Sequence, residues 1–187
     1  MKSPFAFIAR PVKGRRYNNT KEIAGIDLII STDQENHNFS NRQAEVVEVP
    51  IGYKGPVKEG DILLVHHNVF KYYNDIKGKV QSGQSFFKDD LFLIDTEQFY
   101  MYKNEDGWNA YDRYCFVKPV DVEESYIYKP ISNEPLVGIM RYPNEYLTSQ
   151  GVSKGDRVSF QPESEYEFDV SGETLYRIYD HQITILL

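Results

Sequence analysis

Two short stretches with the same pattern decide how this chain folds. They are "VKEGDILLV", residues 57–65, and "VSKGDRVSF", residues 152–160. In both, Gly-Asp follows a valine after two intervening residues, and an apolar run begins directly afterwards. Glycine adopts the positive φ of a tight turn without steric cost, and an aspartate carboxylate accepts hydrogen bonds from nearby backbone N–H groups. Each stretch therefore predicts a tight turn that opens a β-strand.

The sequence on both sides of these turns repeats as well. Each turn is preceded by an apolar run that ends in proline, "VVEVP" (46–50) and "VGIMRYP" (137–143). Each is also followed by a longer closing segment, "DLFLIDTEQFYMY" (90–102) and "TLYRIYDHQITIL" (174–186). The matching positions in the closing segments are Ile94 with Ile178, Gln98 with Gln182, and Phe99 with Ile183. Several weak matches in one shared order predict that the chain is built twice.

The two copies define the expected domain organisation. A polar run with a turn-forming Asp-Gly, "KNEDGWN" (103–109), separates them. We therefore predict a first domain over 1–105 and a second over 106–187. Short runs rich in Val, Ile, Tyr and Phe recur throughout, bounded by Gly, Pro, Asn or Asp, and none has a sustained 3.6-residue period. The pattern predicts an all-β sandwich or barrel, with no helix longer than a turn or two.

Composition excludes several classes of function. The 187 residues are 41% hydrophobic and 14% aromatic, which indicates a folded chain. The net charge of -7 argues against nucleic-acid binding, which depends on neutralising phosphates. No segment approaches the roughly 20 apolar residues of a membrane span, and the start is too weakly apolar for a signal peptide. Cys115 is the only cysteine, so no intrachain disulfide forms, and we expect a cytoplasmic protein that contacts no membrane.

Together these patterns resemble a known family. The order of strand, Val-x-x-Gly-Asp turn, variable hairpin and closing strand is similar to the GroES-type co-chaperonins, the small lid proteins of the chaperonin ring. The second copy also shares the family's Asp-Arg opening strand, in "YDRYCFVKP" (111–119), whereas the first opens with "FAFIARPVKGRR" (5–16), without that pair. The resemblance covers nearly the whole chain as two tandem copies. It implies an all-β fold of two tandem GroES-like, partly open β-barrels.

The resemblance also implies a binding segment. In the family, a long mobile loop with a small apolar cluster follows the first strand. Here that loop runs from about residue 17 to 43 and contains "AGIDLII" (24–30) between polar flanks, which predict flexibility in the free chain. The implied chaperonin-binding residues are Ile26, Leu28, Ile29 and Ile30. An alternative reading remains open, because Ile-x-Leu-Ile-Ile has high β propensity and is also typical of a strand that pairs at a sheet edge.

The other family features are weaker in this chain. The segment of the second copy that corresponds to the loop has only Tyr126-Ile127-Tyr128 as an apolar centre, so we expect an ordinary strand there and one main chaperonin-binding loop per chain. The family's roof hairpins correspond to residues 51–56 and 142–151. Roof tyrosines would be Tyr53, Tyr142 and Tyr146, with exposed turn tyrosines as the alternative.

Residues for enzymatic chemistry are sparse. The chain contains no phosphate-binding loop, no G-x-G-x-x-G and no G-x-S-x-G. His66 and His67 invite a metal interpretation, but neighbours in a strand point to opposite faces, so we expect no metal and no cofactor. Cys115 lies in a predicted strand, where a buried inert thiol is typical.

These observations lead to one main functional expectation. We expect a non-enzymatic co-chaperonin-like lid protein that assembles into a homo-oligomeric ring and binds a nucleotide-bound chaperonin ring to assist protein folding. The alternative is a structural assembly or virus-particle component that reuses the same fold for permanent contacts.

Overall fold

The protein is all-β in the residues that the structure, a computed structural model, describes: 1–18, 20–23, 26–29, 39–121 and 133–187. Seventeen strands and one short α-helix form there, and all the pairings between strands are antiparallel. None of the described sheets closes on itself. No helix in these ranges has the length and apolar character needed to cross a membrane.

The chain divides into two compact units, Met1–Gly107 and Trp108–Leu187. The boundary predicted from the polar run, between residues 105 and 106, lies two residues before the observed one. Strand β11 (Gly107–Ala110) begins at the last residue of the first unit.

Ten strands form the first unit. They are β1 (Phe7–Pro11), β2 (Thr20–Ile23), β3 (Ile26–Ile29), β4 (Gln43–Glu48), β5 (Ile62–Val65), β6 (Tyr72–Asn74), β7 (Val80–Ser82), β8 (Phe86–Lys88), β9 (Leu91–Ile94) and β10 (Phe99–Asn104). Six of them lie side by side in the order β10-β5-β4-β1-β9-β8, whereas β2–β3 and β6–β7 are separate two-stranded hairpins. A 3₁₀ turn, Thr96–Gln98, joins β9 to β10.

The second unit repeats this order. Its elements are β12 (Tyr114–Asp121), β13 (Asn133–Tyr142), α1 (Glu145–Ser149), β14 (Arg157–Phe160), β15 (Tyr166–Val170), β16 (Glu173–Tyr179) and β17 (Ile183–Leu186). They lie in the order β17-β14-β13-β12-β16-β15, with a 3₁₀ turn, Asp180–Gln182, before the last strand. Each strand therefore has a counterpart with the same neighbours in the six-stranded arrangement of the first unit.

The two Gly-Asp turns confirm the role predicted for aspartate. Asp61 Oδ2 accepts a hydrogen bond from the Lys58 backbone N–H at 2.8 Å, and Asp156 Oδ2 accepts one from the Ser153 N–H at 2.7 Å. Both aspartates also donate their own N–H to the carbonyl of the same partner residue, at 3.2 Å in each case. The aspartate side chain thus closes a turn of four residues in both units.

The glycines of these turns have the predicted left-handed conformation. Gly60 has φ of 89° and Gly155 has φ of 98°, a region that side chains with a Cβ rarely occupy. Gly60 N–H donates to the carbonyl of Val46, and Gly155 N–H donates to that of Met140, both at 2.8 Å. Each turn is therefore attached to the strand that precedes it, in the same way in both units.

The glutamines matched in the closing segments also occupy equivalent places. Gln98 Oε1 accepts from the Asp95 N–H at 3.0 Å, and Gln182 Oε1 accepts from the Tyr179 N–H at 3.1 Å. Each glutamine side chain caps the 3₁₀ turn that it ends, so the residue type at this position has a local physical reason.

The cores of the two units are filled differently at one central position. Phe7 in β1 pairs with Ile94, and Cys115 in β12 pairs with Ile178, so the phenylalanine and the cysteine are counterparts. All four side chains are fully buried. The first unit therefore places a large ring where the second has a small thiol.

The side chains around this central position also differ between the two units. The Phe7 ring packs edge-on against Tyr53, at 4.9 Å between centroids, and against Phe99 at 5.4 Å. In the second unit, Cys115 shares a core cluster with Leu147, a buried residue of α1. The helix thus contributes one buried side chain to the core of the second unit.

The segment 142–151 differs from the predicted roof hairpin. It contains the end of β13 and the helix α1 rather than two paired strands. The Asn144 side chain accepts a hydrogen bond from the Leu147 N–H at 2.9 Å, which caps the first turn of the helix. In the first unit, Ile51 and Gly52 form a simple turn.

Candidate functional site

The predicted apolar binding segment forms a β-hairpin. Strands β2 and β3 pair in antiparallel register from Thr20 opposite Ile29 to Ile23 opposite Ile26. Three of the implied binding residues, Ile26, Leu28 and Ile29, belong to β3, while Ile30 lies outside the described residues. Among the strands that the structure describes, β3 pairs with β2 alone. Residues 26–29 therefore form the strand that the alternative predicted, but this strand pairs with β2 instead of with the edge of a larger described sheet.

Backbone contacts join the two stretches of chain that flank this segment, residues 17–18 and 39–40. Tyr17 and Ser40 form an antiparallel bridge. Next to it, the Asn18 N–H donates to the carbonyl of Phe39 at 2.7 Å. Residues 17–18 and 39–40, which flank the segment that contains β2 and β3, therefore lie side by side.

A buried asparagine strengthens this closure. Asn41 is 4% exposed, and its backbone N–H donates to the Arg16 carbonyl at 2.9 Å. Its side-chain Nδ2 donates to the carbonyls of Val12 at 3.0 Å and Arg15 at 2.7 Å. One side chain therefore satisfies two backbone acceptors on the outgoing chain, which is the usual requirement for buried polar groups.

Aromatic packing holds the outgoing chain on its other side. The Arg16 guanidinium lies 4.3 Å from the ring centroid of Tyr72 and 4.8 Å from that of Phe92, and it donates to Ser82 Oγ at 2.8 Å. The Tyr17 ring stacks on Tyr72 at 6.0 Å, and the Tyr72 N–H donates to the Tyr17 hydroxyl at 2.9 Å. Partial burial raises the pKa of that hydroxyl. We refer to Arg16, Tyr17, Tyr72 and Ser82 as the anchor cluster.

A cleft of about 550 Å³ lies beside the hairpin β6–β7 in the first unit. Its lining includes His66, Lys71, Tyr73, Ser85 and Glu97. Sequence reasoning missed it, because the residues come from four separate segments with no shared motif. The polar groups include one imidazole, one ammonium and one carboxylate, and the Ser85 hydroxyl accepts a hydrogen bond from Gln98 Nε2 at 3.2 Å.

The prediction for the two adjacent histidines is wrong in its geometry. Strand β5 ends at Val65, so His66 and His67 lie beyond it, and their rings approach to 4.1 Å instead of pointing to opposite faces. His66 Nδ1 accepts a hydrogen bond from the Asn68 N–H at 3.2 Å. Within the described residues, no group of three or more His, Cys, Asp or Glu side chains is arranged to hold a metal ion.

Cys115 is fully buried in β12, as expected for a structural thiol. Burial raises the pKa of this thiol, and the Asp180 carboxylate adds to the rise. Because only the thiolate is nucleophilic, we expect an aromatic disulfide reagent at mildly alkaline pH to label folded protein more than about a hundredfold slower than protein in concentrated guanidinium chloride. Equal labelling rates, followed through the visible absorbance of the aromatic thiolate that the reagent releases, would contradict this assignment.

The three candidate roof tyrosines have different environments. Tyr53 is half-buried against Phe7 in the first unit. Tyr142 ends β13 half-buried, and Tyr146 in α1 is 59% exposed. Tyr53 therefore has a packing role, and only Tyr146 has the exposure expected of a turn tyrosine. The second apolar centre, Tyr126 to Tyr128, lies outside the described residues.

The residues and strand pairings thus define an all-β chain of two similarly ordered units, the first of which carries a hairpin with an apolar strand. No protein-family model matches the chain, and no curated protein matches its sequence.

Proposed function

We propose that the chain is a co-chaperonin-like lid protein made of two tandem GroES-like, partly open β-barrels. It assembles into a homo-oligomeric ring and binds a nucleotide-bound chaperonin ring through the hairpin β2–β3. One observation carries the proposal: β3 is three-quarters apolar, pairs only with β2 among the described strands, and belongs to a segment flanked by the paired residues Tyr17 and Ser40. No enzymatic step is part of this function.

The energetics of such a hairpin suit reversible binding. Burying each Leu or Ile side chain in a groove of the partner stabilises a complex by roughly 1.5–3 kcal/mol. Ordering a segment on binding costs about 2–5 kcal/mol. A single hairpin therefore binds weakly, but a ring that presents several hairpins to a ring of sites gains affinity through effective concentration. Such a complex is released when the partner changes conformation.

The last strand supports assembly into a ring. Within the described residues, β17 has a neighbouring strand on one side only, β14. Ile185, Leu186 and Leu187 at this edge are 57%, 54% and 60% exposed. A free edge with apolar side chains favours pairing with another chain, and proteins that stay monomeric protect such edges with charges or bulges. Native mass spectrometry that shows a stable monomer at micromolar concentration would contradict the ring.

The binding hairpin is tested by the double variant Leu28→Ser and Ile29→Ser in the full chain. Wild type is expected to bind a purified bacterial chaperonin in the presence of ATP or ADP and not in their absence. The variant is expected to bind about a hundredfold more weakly, because two buried apolar side chains are lost. The measurement is co-sedimentation over a range of chaperonin concentrations, with circular dichroism to verify folding.

A matched control is available in the second unit. The variant Tyr126→Ser and Ile127→Ser removes the apolar centre of the corresponding segment and is expected to bind like wild type, because one hairpin per chain makes the main contact. Unchanged binding of the Leu28 and Ile29 variant would exclude β3 as the docking element. Association that ignores nucleotide, with recovery of the chain from a purified particle, would instead indicate a structural assembly component.

A further inference from the structure

The cleft beside β6–β7 is built by a connection that is much shorter in the second unit. Residues 66–85 join β5 to β8, whereas residues 161–165 join their counterparts β14 and β15. Apart from Glu97 and Gln98, every described lining residue belongs to the longer connection. The volume of about 550 Å³ lies within the range of about 300–1,000 Å³ that small-molecule sites occupy. The extra chain of the first unit therefore forms a cavity large enough for a small ligand.

This cleft contains a buried hydroxyl group that lacks an acceptor. Ser85 is 7% exposed, and its Oγ accepts a hydrogen bond from Gln98 Nε2 at 3.2 Å. Within the part of the chain that the structure describes, the hydroxyl donates to no acceptor of its own. A buried hydroxyl normally uses its donor as well as its acceptor sites. An oxygen atom of a ligand in the cleft supplies the missing acceptor.

Three planar polar side chains at the cleft have hydrogen-bonding groups to offer. They are the amides of Asn68 and Gln84 and the carboxylate of Glu97, all exposed and without side-chain partners among the described residues. An amide places a donor beside an acceptor, and a carboxylate places two acceptors in one plane. Each of these groups matches two neighbouring hydroxyl groups of a ligand.

The turn that carries Glu97 does not itself require a carboxylate. This 3₁₀ turn, Thr96–Gln98, is closed by the Gln98 side chain, which accepts the Asp95 N–H at 3.0 Å. In the equivalent turn of the second unit, Asp180–Gln182, the matching residue is His181. The Glu97 carboxylate is therefore available to a ligand, and it is presented by a backbone that is already ordered.

The charge of the lining favours a neutral ligand. Lys71 and Glu97 are its two charged side chains and cancel in formal charge. The His66 imidazole accepts a hydrogen bond at Nδ1 from the Asn68 N–H, which requires the neutral form of the ring. Tyr73, 54% exposed, adds an aromatic side chain with an apolar body and a polar tip. A ligand with many hydroxyl groups, no charge and an apolar ring face fits these groups.

We infer that the cleft binds a neutral saccharide of one or two rings. The Glu97 carboxylate and the Gln84 amide hydrogen-bond to neighbouring sugar hydroxyl groups, and the Ser85 hydroxyl donates to a sugar oxygen. This site is independent of the proposed function, because neither β2–β3 nor a chaperonin takes part in it.

The test measures binding of six neutral sugars to the full chain by saturation-transfer NMR and calorimetric titration. The sugars are methyl glucoside, methyl galactoside, methyl mannoside, maltose, cellobiose and lactose. Wild type is expected to bind at least one of them with a Kd of about 1 mM or lower. The variants Glu97→Gln and Gln84→Ala are each expected to weaken that binding about tenfold, because each removes hydrogen-bonding groups from the cleft.

Matched controls use the same replacements outside the cleft. Glu105→Gln and Gln161→Ala change exposed side chains that do not line it, and both are expected to bind the sugar like wild type. Circular dichroism verifies folding of all four variants. The Glu97 and Gln84 variants are also expected to bind the chaperonin like wild type, so the two functions fail separately.

Three results would overturn the saccharide site. One is the absence of binding by all six sugars at concentrations up to about 20 mM. Another is wild-type sugar affinity in both the Glu97 and the Gln84 variant, which would place the sugar outside this cleft. The third is binding of inorganic phosphate or of a free amino acid in the cleft while the six sugars do not bind, which would show that the ligand is charged.

Discussion

Replacing Phe7 with alanine is expected to destabilise the first unit by about 3–5 kcal/mol. The side chain is fully buried in β1, a strand with neighbours on both sides, and its ring makes edge-on contacts with Tyr53 and Phe99. Alanine leaves a cavity that these two rings cannot fill without leaving their own contacts. The free energy of unfolding is measured by urea titration with circular dichroism, and hydrogen exchange of peptides from Met1–Gly107 localises the loss.

The control for this variant is Phe87→Ala. Phe87 is 45% exposed in β8, so its truncation is expected to change the free energy of unfolding by less than about 1 kcal/mol. If Phe7→Ala also changed the free energy of unfolding by less than about 1 kcal/mol, the ring would not be needed for the stability of the first unit. The difference in size between Phe7 and its counterpart Cys115 would then have no effect on stability.

Replacing Asn144 with alanine is expected to destabilise the second unit by about 3 kcal/mol. The residue is 3% exposed. Its Nδ2 donates to the carbonyl of Asp112 at 2.9 Å and to Asp180 Oδ2 at 3.0 Å, while its Oδ1 caps α1. Alanine removes all three bonds and leaves the nearly buried Asp180 carboxylate with one fewer donor.

Trp108, the one tryptophan of the chain, belongs to the same unit and provides the readout. Its indole N–H donates to Ser171 Oγ at 3.2 Å, so denaturant-induced changes in fluorescence report on that unit. The control is Asn74→Ala at an exposed position of β6, where we expect a change within about 0.5 kcal/mol. Equal unfolding midpoints for the two variants would show that the buried network around Asp180 contributes nothing.

The parts of the fold that could be predicted from sequence are those held by interactions between residues that are close together in the chain. In the Gly-Asp turns, the aspartate side chain reaches a backbone N–H three residues earlier, and the glycine supplies the conformation that the turn needs. Gln98 and Gln182 likewise cap turns within three residues. Both partners of each hydrogen bond lie within four consecutive residues, so a short sequence pattern is enough to predict the turn. The recurrence of that pattern therefore identified the repeat.

The helix α1 was missed although a local signal exists. Asn144 is a favourable N-cap, and Glu145 follows it in the first turn, where a carboxylate is stabilised by the helix dipole. The resemblance to a roof hairpin outweighed this signal. The outcome shows a limit of family analogy, because in this chain a short helix occupies the segment and contributes the buried Leu147 to the core cluster that contains Cys115.

The anchor cluster could not be predicted, because its members are far apart in sequence. Tyr17 and Tyr72, whose hydroxyl and N–H share a hydrogen bond, are separated by 55 positions. Nothing in the segments around them shows that they meet. For the candidate site, β propensity correctly indicated a strand in residues 26–29, but sequence alone did not show that it pairs with its immediate predecessor.

The equal strand order of the two units has a consequence for synthesis. A nascent chain contains two sets of strands with the same hydrogen-bonding register, so β1 can pair with β16 as well as with β9, a hazard typical of repeat proteins. The different sizes of Phe7 and Cys115, which occupy equivalent positions in the two cores, disfavour such pairing between units. Phe7 in the place of the smaller Cys115 would overfill the core of the second unit, whereas Cys115 in the place of Phe7 would leave a void beside Tyr53. The difference between Phe7 and Cys115 is therefore expected to favour the pairing of strands within each unit over pairing between units.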